Sequence, residues 1–148
     1  MERKVQSLAG RSAIRVLVVD DEPTYCDLVQ WGLGKFGIEV VCATSAVMAF
    51  VEIQSERAPI DLVLTDYRMP GMDGVEFIKR LNGSEPRFPI VIWSNFFSRT
   101  TLEEIEQLAQ QMQIRSLEKS GDIRHLAELI RTEVAAWNVK KNARHLES

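Results

Sequence analysis

The chain has 148 residues, 45% hydrophobic and 26% charged, which fits one globular domain with a core of its own and needs no disulfide staples. The first dozen residues lack an apolar h-region, no apolar run nears the roughly 20 residues of a membrane span, and two cysteines without metal-ligand spacing exclude a zinc ribbon and fit a reducing, cytoplasmic compartment. The net charge of −3 conceals basic ends (1–12 and 140–148) around a body, 13–139, with 12 basic and 19 acidic residues, a balance that disfavours nucleic-acid binding through the domain.

Strand and helix patterns then alternate along the chain. Ile14–Val19 is a β-branched apolar run, as expected of a strand buried on both faces. Pro23 opens a helix with Leu28, Val29, Leu33 and Phe36 inward, stopping at Gly37. Ile38–Cys42 reads as a second strand, and Ser45 caps a helix whose apolar face is Val47, Phe50, Val51 and Ile53. Residues 60–66 (IDLVLTD) form a third strand. The loop Tyr67–Gly71 turns into a helix around Asp73, with Val75, Phe77, Ile78 and Leu81 facing in. Pro89–Trp93 is a fourth strand, and Thr101 with Glu104 suggests a capping box for a helix carrying Leu102, Ile105, Leu108 and Met112. Ile114–Glu118 is a polar edge strand. Ser120 or Asp122 begins the last helix, with Ile123, Leu126, Leu129, Ile130 and Val134 inward, and 137–148 extends it or forms a tail. Five βα units predict an α/β fold built on a doubly wound, parallel five-stranded sheet.

Ligands of such sheets bind beyond the carboxyl ends of the strands. There the first strand delivers Asp20 and Asp21, the third Asp66, the fourth Ser94 and the fifth Lys119. Three converging carboxylates repel unless a cation or a proton relieves them, and hard oxygen ligands suit Mg²⁺. With a lysine and a hydroxyl added, the set suits a phosphoryl group: Asp66 as nucleophile, Asp20 and Asp21 for the metal, Lys119 for the phosphate.

The blocks VLVVDDEP, LVLTDYRMPGMDG, IVIWSN and LEKS resemble the receiver domain of two-component response regulators over residues 13–136. The resemblance implies a (βα)5 flavodoxin-like fold with strand order 2-1-3-4-5. It implies Asp66 as phospho-acceptor, Asp20 and Asp21 as the acid pair around Mg²⁺, the backbone carbonyl of Arg68 as a further metal ligand, and Ser94 and Lys119 as the switch hydroxyl and the lysine. It further implies phosphate from a partner histidine kinase or phosphotransfer protein, and repacking of the face made by the fourth helix, fifth strand and fifth helix, where a homodimer is also expected. Catalysis is then limited to its own phosphorylation and dephosphorylation. With no output domain fitting after residue 140, the signal is expected to leave by contact with a downstream protein.

Three positions depart from that family's pattern. Ser116 replaces the switch aromatic, Ser120 the proline after the lysine, and Asn95 a small residue beside the acyl phosphate. Ser116 cannot fill an aromatic pocket, which keeps open an interaction module that works without phosphate. A Mg²⁺-dependent phosphohydrolase would need a separate base and a substrate pocket, and neither is legible. Gly32, Gly34 and Gly37 formally match G-x-G-x-x-G, but they lie at the tail of a helix rather than after a strand, so they read as residues that loosen and cap that helix, and the sequence gives no reason for the two inside it. Cys26, Cys42, His125, His145, Trp31, Trp93 and Trp137 read as packing or solvated side chains.

Overall fold

A computed structural model describes residues 13–55, 58–69, 71–82, 87–119 and 122–147. The element order is β1 (Arg15–Val19), α1 (Pro23–Gly34), β2 (Glu39–Ala43), α2 (Ala46–Gln54), β3 (Leu62–Thr65), β4 (Arg68–Met69), β5 (Met72–Asp73), α3 (Gly74–Asn82), β6 (Ile90–Ser94), α4 (Arg99–Leu108), β7 (Ile114–Glu118) and α5 (Ile123–Glu147). The main sheet is parallel throughout, in the order β2-β1-β3-β6-β7. Counting only its own strands, that is the expected 2-1-3-4-5. The unforeseen addition is β4–β5, a two-residue antiparallel ladder in the segment read from sequence as a loop.

The period of two along the central strands divides the interior into two cores. Val16, Val18, Leu62, Leu64, Val91 and Trp93 face α1 and α5, whose Val29, Leu33, Leu126 and Ile130 pack against them. Leu17, Val19, Val63, Ile90 and Ile92 face the other way, onto Ala49 of α2, Phe77 and Ile78 of α3, and Ile105 of α4. Runs apolar at every position are what a strand covered on both faces requires.

Helix ends and faces bring corrections. In α1 the buried stripe is Cys26, Val29, Gly32 and Leu33, while Leu28, one residue off that stripe, is 45% exposed. Gly37 adopts φ +77° and the Ile38 N–H donates to the Leu33 carbonyl, so the chain leaves α1 through a left-handed glycine, as expected. Ser45 does cap α2, its hydroxyl accepting the Met48 N–H. The helix, however, buries Ala46 and Ala49 and half-buries Phe50 and Ile53, leaving Val47 70% and Val51 60% exposed. Small residues let α2 approach the sheet, which rotates the larger valines outward. In α4 the cap is Ser98, whose hydroxyl accepts the Thr101 N–H; Thr101 itself is buried in the first turn, and Leu102 points out. Asp122 caps α5 through the His125 N–H. Ser120 and His145 fall outside the described residues and side chains.

Candidate functional site

Ladder hydrogen bonds run one residue past three strand ends. The Asp20 N–H donates to the Ala43 carbonyl at 3.1 Å, the Asp66 N–H to Val19 at 2.9 Å and the Lys119 N–H to Ser94 at 2.8 Å. The residues that follow β1, β3 and β7 are thereby pinned at one rim of the sheet. One carboxylate oxygen each from Asp20, Asp21 and Asp66 lies within 4.8 Å of the others. Asp20 is buried: its Oδ1 accepts the Glu22 N–H at 2.9 Å, and its Oδ2 receives the Lys119 ammonium at 2.8 Å. Asp66 is half-buried, with Oδ1 accepting the Tyr67 N–H at 2.7 Å and Oδ2 standing 3.5 Å from Lys119 Nζ. Asp21 is exposed, so the cluster opens to solvent on its side.

The electrostatics follow from this packing. Burial raises the Asp66 carboxyl above its ordinary value and the charge of Asp20 adds to the effect, while Lys119 and the N–H groups of Tyr67 and Arg68 oppose it without cancelling it. Burial alone would lower the Lys119 ammonium. The hydrogen bond to Asp20 and the negative charge of both aspartates outweigh it and hold the ammonium above its usual value. The three oxygens of like charge, one side open, fit a hard divalent cation that retains part of its water shell. Arg68 lies on β4 just beyond Asp66, and its N–H contributes to the Asp66 carboxylate.

A model of the response regulator receiver domain matches residues 16–131. The chain belongs to the response regulator receiver family. Transcriptional regulatory protein ZraR of Salmonella typhimurium is 34% identical over 109 residues, covering 73% of the receiver chain and 24% of the relative. Regulatory protein AtoC of Escherichia coli is 28% identical over 138 residues, covering 89% and 28%. The receiver thus spans about a quarter of the length of these curated relatives. Among solved structures, chemotaxis protein CheY4 of Vibrio cholerae superimposes with a TM-score of 0.72 at 24% identity, over 82% of this chain and 98% of that one. A CheY-like receiver domain protein of Methanospirillum hungatei gives 0.76 at 22%, over 87% and 99%. These two likenesses bear on the fold alone. Domains of this family act in general as phosphorylation switches in two-component systems.

Around the receiver's carboxylates, Ser94 ends β6 and is buried, but its hydroxyl donates to the Phe96 carbonyl at 3.3 Å, along its own loop. Asn95 is exposed at the rim, and Ser116 lies exposed on β7 opposite Ile92. Two aromatic rings escaped the sequence reading as site residues. Tyr25 of α1 and Trp93 of β6 lie 4.0 and 5.5 Å, ring centroid to Nζ, from Lys119. The available signal was position: Trp93 directly precedes Ser94, and Tyr25 follows Asp21 by one helical turn. A groove of about 610 Å³ between α3 and α4, lined by Lys79, Glu103, Glu104 and Met112 among others, includes none of the three carboxylates. His125 is exposed on α5, and no described helix is long and apolar enough to cross a membrane.

Proposed function

We propose that Asp66 accepts a phosphoryl group from a phosphohistidine of a sensor kinase or phosphotransfer protein, with Mg²⁺ held by Asp20, Asp21, Asp66 and the backbone carbonyl of Arg68. The observation that carries this reading is the Asp66 carboxylate at the end of the central strand, with Lys119 Nζ 3.5 Å away and two further carboxylates within 4.8 Å. An Asp66 oxygen attacks phosphorus as the P–N bond breaks, and the electron pair leaves on the imidazole nitrogen, which takes up a proton. When bound, Mg²⁺ offsets charge on the phosphoryl oxygens. Lys119 moves from Asp20 toward the new phosphate, and the Ser94 hydroxyl, turning from the Phe96 carbonyl, supplies a second donor.

Chemistry on other substrates forms no part of this reading; the domain turns over only its own acyl phosphate, in the cytoplasm. Its output is contact of the α4–β7–α5 face with a downstream protein or a second copy, and the acidic body keeps nucleic acid off the domain. Exposed Ser116 favours a second reading, a module that binds partners without phosphate. Acetyl phosphate or beryllofluoride with Mg²⁺, followed by intact mass and tryptophan fluorescence, separates the two. A phosphoryl mass gain absent from Asp66→Asn supports the switch. A folded wild-type protein that responds to neither reagent supports the module.

A further inference from the structure

Lys119 is buried between two kinds of partner, and the phosphoryl-acceptor reading accounts for only one of them. On one side stand Asp20 Oδ2 at 2.8 Å and Asp66 Oδ2 at 3.5 Å. On the other stand the Tyr25 ring, 4.0 Å from Nζ, and the Trp93 ring, 5.5 Å away. The rings brace one another edge to face, with centroids 5.9 Å apart and planes inclined by 77°. Trp93 is buried in the core beneath α1 and α5, and Tyr25 is fixed on the first turn of α1, where its N–H donates to the Glu22 carbonyl at 3.0 Å. The lysine side chain is only 4% exposed. From the geometry we infer that Tyr25 and Trp93 are positioning residues: an aromatic box that keeps the Lys119 ammonium aimed at the oxygen Asp66 offers to the phosphoryl group.

The four-carbon stem of a lysine has many rotamers, and its ammonium is strongly hydrated, so a free lysine at a strand end swings into water. The electron-rich ring faces replace part of the lost hydration without neutralising the charge, as a third carboxylate would. They also leave the ammonium a short path from Asp20 to a phosphate on Asp66, because a ring face attracts without fixing a hydrogen-bond direction. The rotamer loss is met in folding rather than during transfer.

The inference rests on the function proposed above, so its test has one arm independent of phosphate. In lysine-labelled apo protein, with Lys119→Met used to assign the signal, the Lys119 ε-protons are expected upfield from the Tyr25 ring current. That shift persists in Tyr25→Phe and collapses in Tyr25→Leu. In the second arm, beryllofluoride with Mg²⁺ binds Tyr25→Leu about five- to thirtyfold more weakly than wild type, the range that runs from an exposed to a desolvated cation–π contact. Tyr25→Phe restores the wild-type value, and Mg²⁺ alone binds all three proteins equally. Tyr25→Met takes the place of the leucine variant if that one fails to fold. Equal beryllofluoride affinity in wild type and Tyr25→Leu, an unshifted wild-type lysine, or a parallel loss of Mg²⁺ binding overturns the inference. A wild-type protein inert to beryllofluoride with the ring-current pattern intact defeats the phosphoryl reading while leaving Tyr25 as the group that holds Lys119.

Discussion

The hydroxyl of Tyr67, the residue after Asp66, donates to Glu104 Oε1 of α4 at 2.6 Å. The peptide beside the central carboxylate is thus tied to a helix 37 positions further on. Gly74, which opens α3, leaves room for Tyr67: a Cβ there would stand 2.4 Å from the Tyr67 carbonyl oxygen and 2.7 Å from its ring, so glycine is a packing requirement at that position. A hydrogen bond to a charged acceptor on an exposed surface contributes about 1 kcal/mol or less. Tyr67→Phe is expected to lower the unfolding free energy by that modest amount, read from urea titrations, and to speed amide exchange in the first half of α4. Unchanged exchange there would show that the contact does not order the helix.

Asp66 gives the protein a pH signature in chelator. Its carboxyl is raised above the ordinary value, chiefly by burial, so the fold prefers it protonated. For a raised folded pKa, the stabilising contribution is complete below the unfolded value, about 3.9, and is lost as pH climbs through the folded one. Asp66→Asn is therefore expected to be more stable than wild type at pH 7, with the difference vanishing as pH falls to about 3.9 and below. Urea titrations at several pH values measure it. A variant less stable than wild type at neutral pH contradicts the assigned direction.

The pair Lys119–Asp20 behaves differently because both side chains are buried, 4% and 2% exposed. Removing one partner of a buried ion pair strands the other charge, at a cost of about 3–5 kcal/mol. Lys119→Met is expected to destabilise the Mg²⁺-free protein on that scale, and adding Asp20→Asn should return a large part of the loss. A double-mutant cycle reads the coupling, and strict additivity would show that the two charges do not depend on each other.

The central strands were legible because a two-sided parallel sheet demands unbroken apolar runs, and the rim was legible because Asp20, Asp66 and Ser94 each stand where such a run ends, while Lys119 follows the polar edge strand β7. The helix faces were less so. Val47 and Val51 belong to the residue types that fill a core, and only the seating of Ala46 and Ala49 against the sheet turns them outward. At the start of α4, Ser98, Thr100 and Thr101 all qualify as caps, and tertiary placement of the preceding loop selects Ser98. The aromatic box joins Tyr25, Trp93 and Lys119 from three distant elements, and local periodicity carries no trace of it.

The two glycines inside α1, unexplained from sequence, separate in the structure. A Cβ at Gly32 would stand 3.0 Å from Ile123 Cγ1 and Cγ2, at the start of α5, whereas one at Gly34 meets nothing within 4 Å. Gly32→Ala is expected to destabilise despite the better helix propensity of alanine, because the branched Ile123 side chain at the α1–α5 contact must give by a few tenths of an ångström to admit the methyl. Gly34→Ala is expected to stabilise by about 0.5–1 kcal/mol through the unfolded state. Thermal melts of the two variants should move in opposite directions, and a gain in both would show that the α1–α5 contact yields freely.

Cys26 and Cys42 are neighbours across α1 and β2, a pairing that their 16-residue separation conceals. The hydrogen bond between the thiols raises Cys26, with burial adding to it, and lowers Cys42, with burial opposing. Cys26 is buried and Cys42 is half-exposed, so accessibility and acidity favour the same residue. Since the thiolate is the nucleophile, iodoacetamide at neutral pH is expected to label Cys42 first and Cys26 only on unfolding. Cys42→Ser should leave a native protein with almost no fast-reacting thiol. Cys26→Ala should slow labelling at Cys42, because it removes the thiol whose hydrogen bond favours the Cys42 thiolate. Peptide mapping after timed quenching distinguishes the sites, and equal labelling of both cysteines in the folded protein would contradict this order.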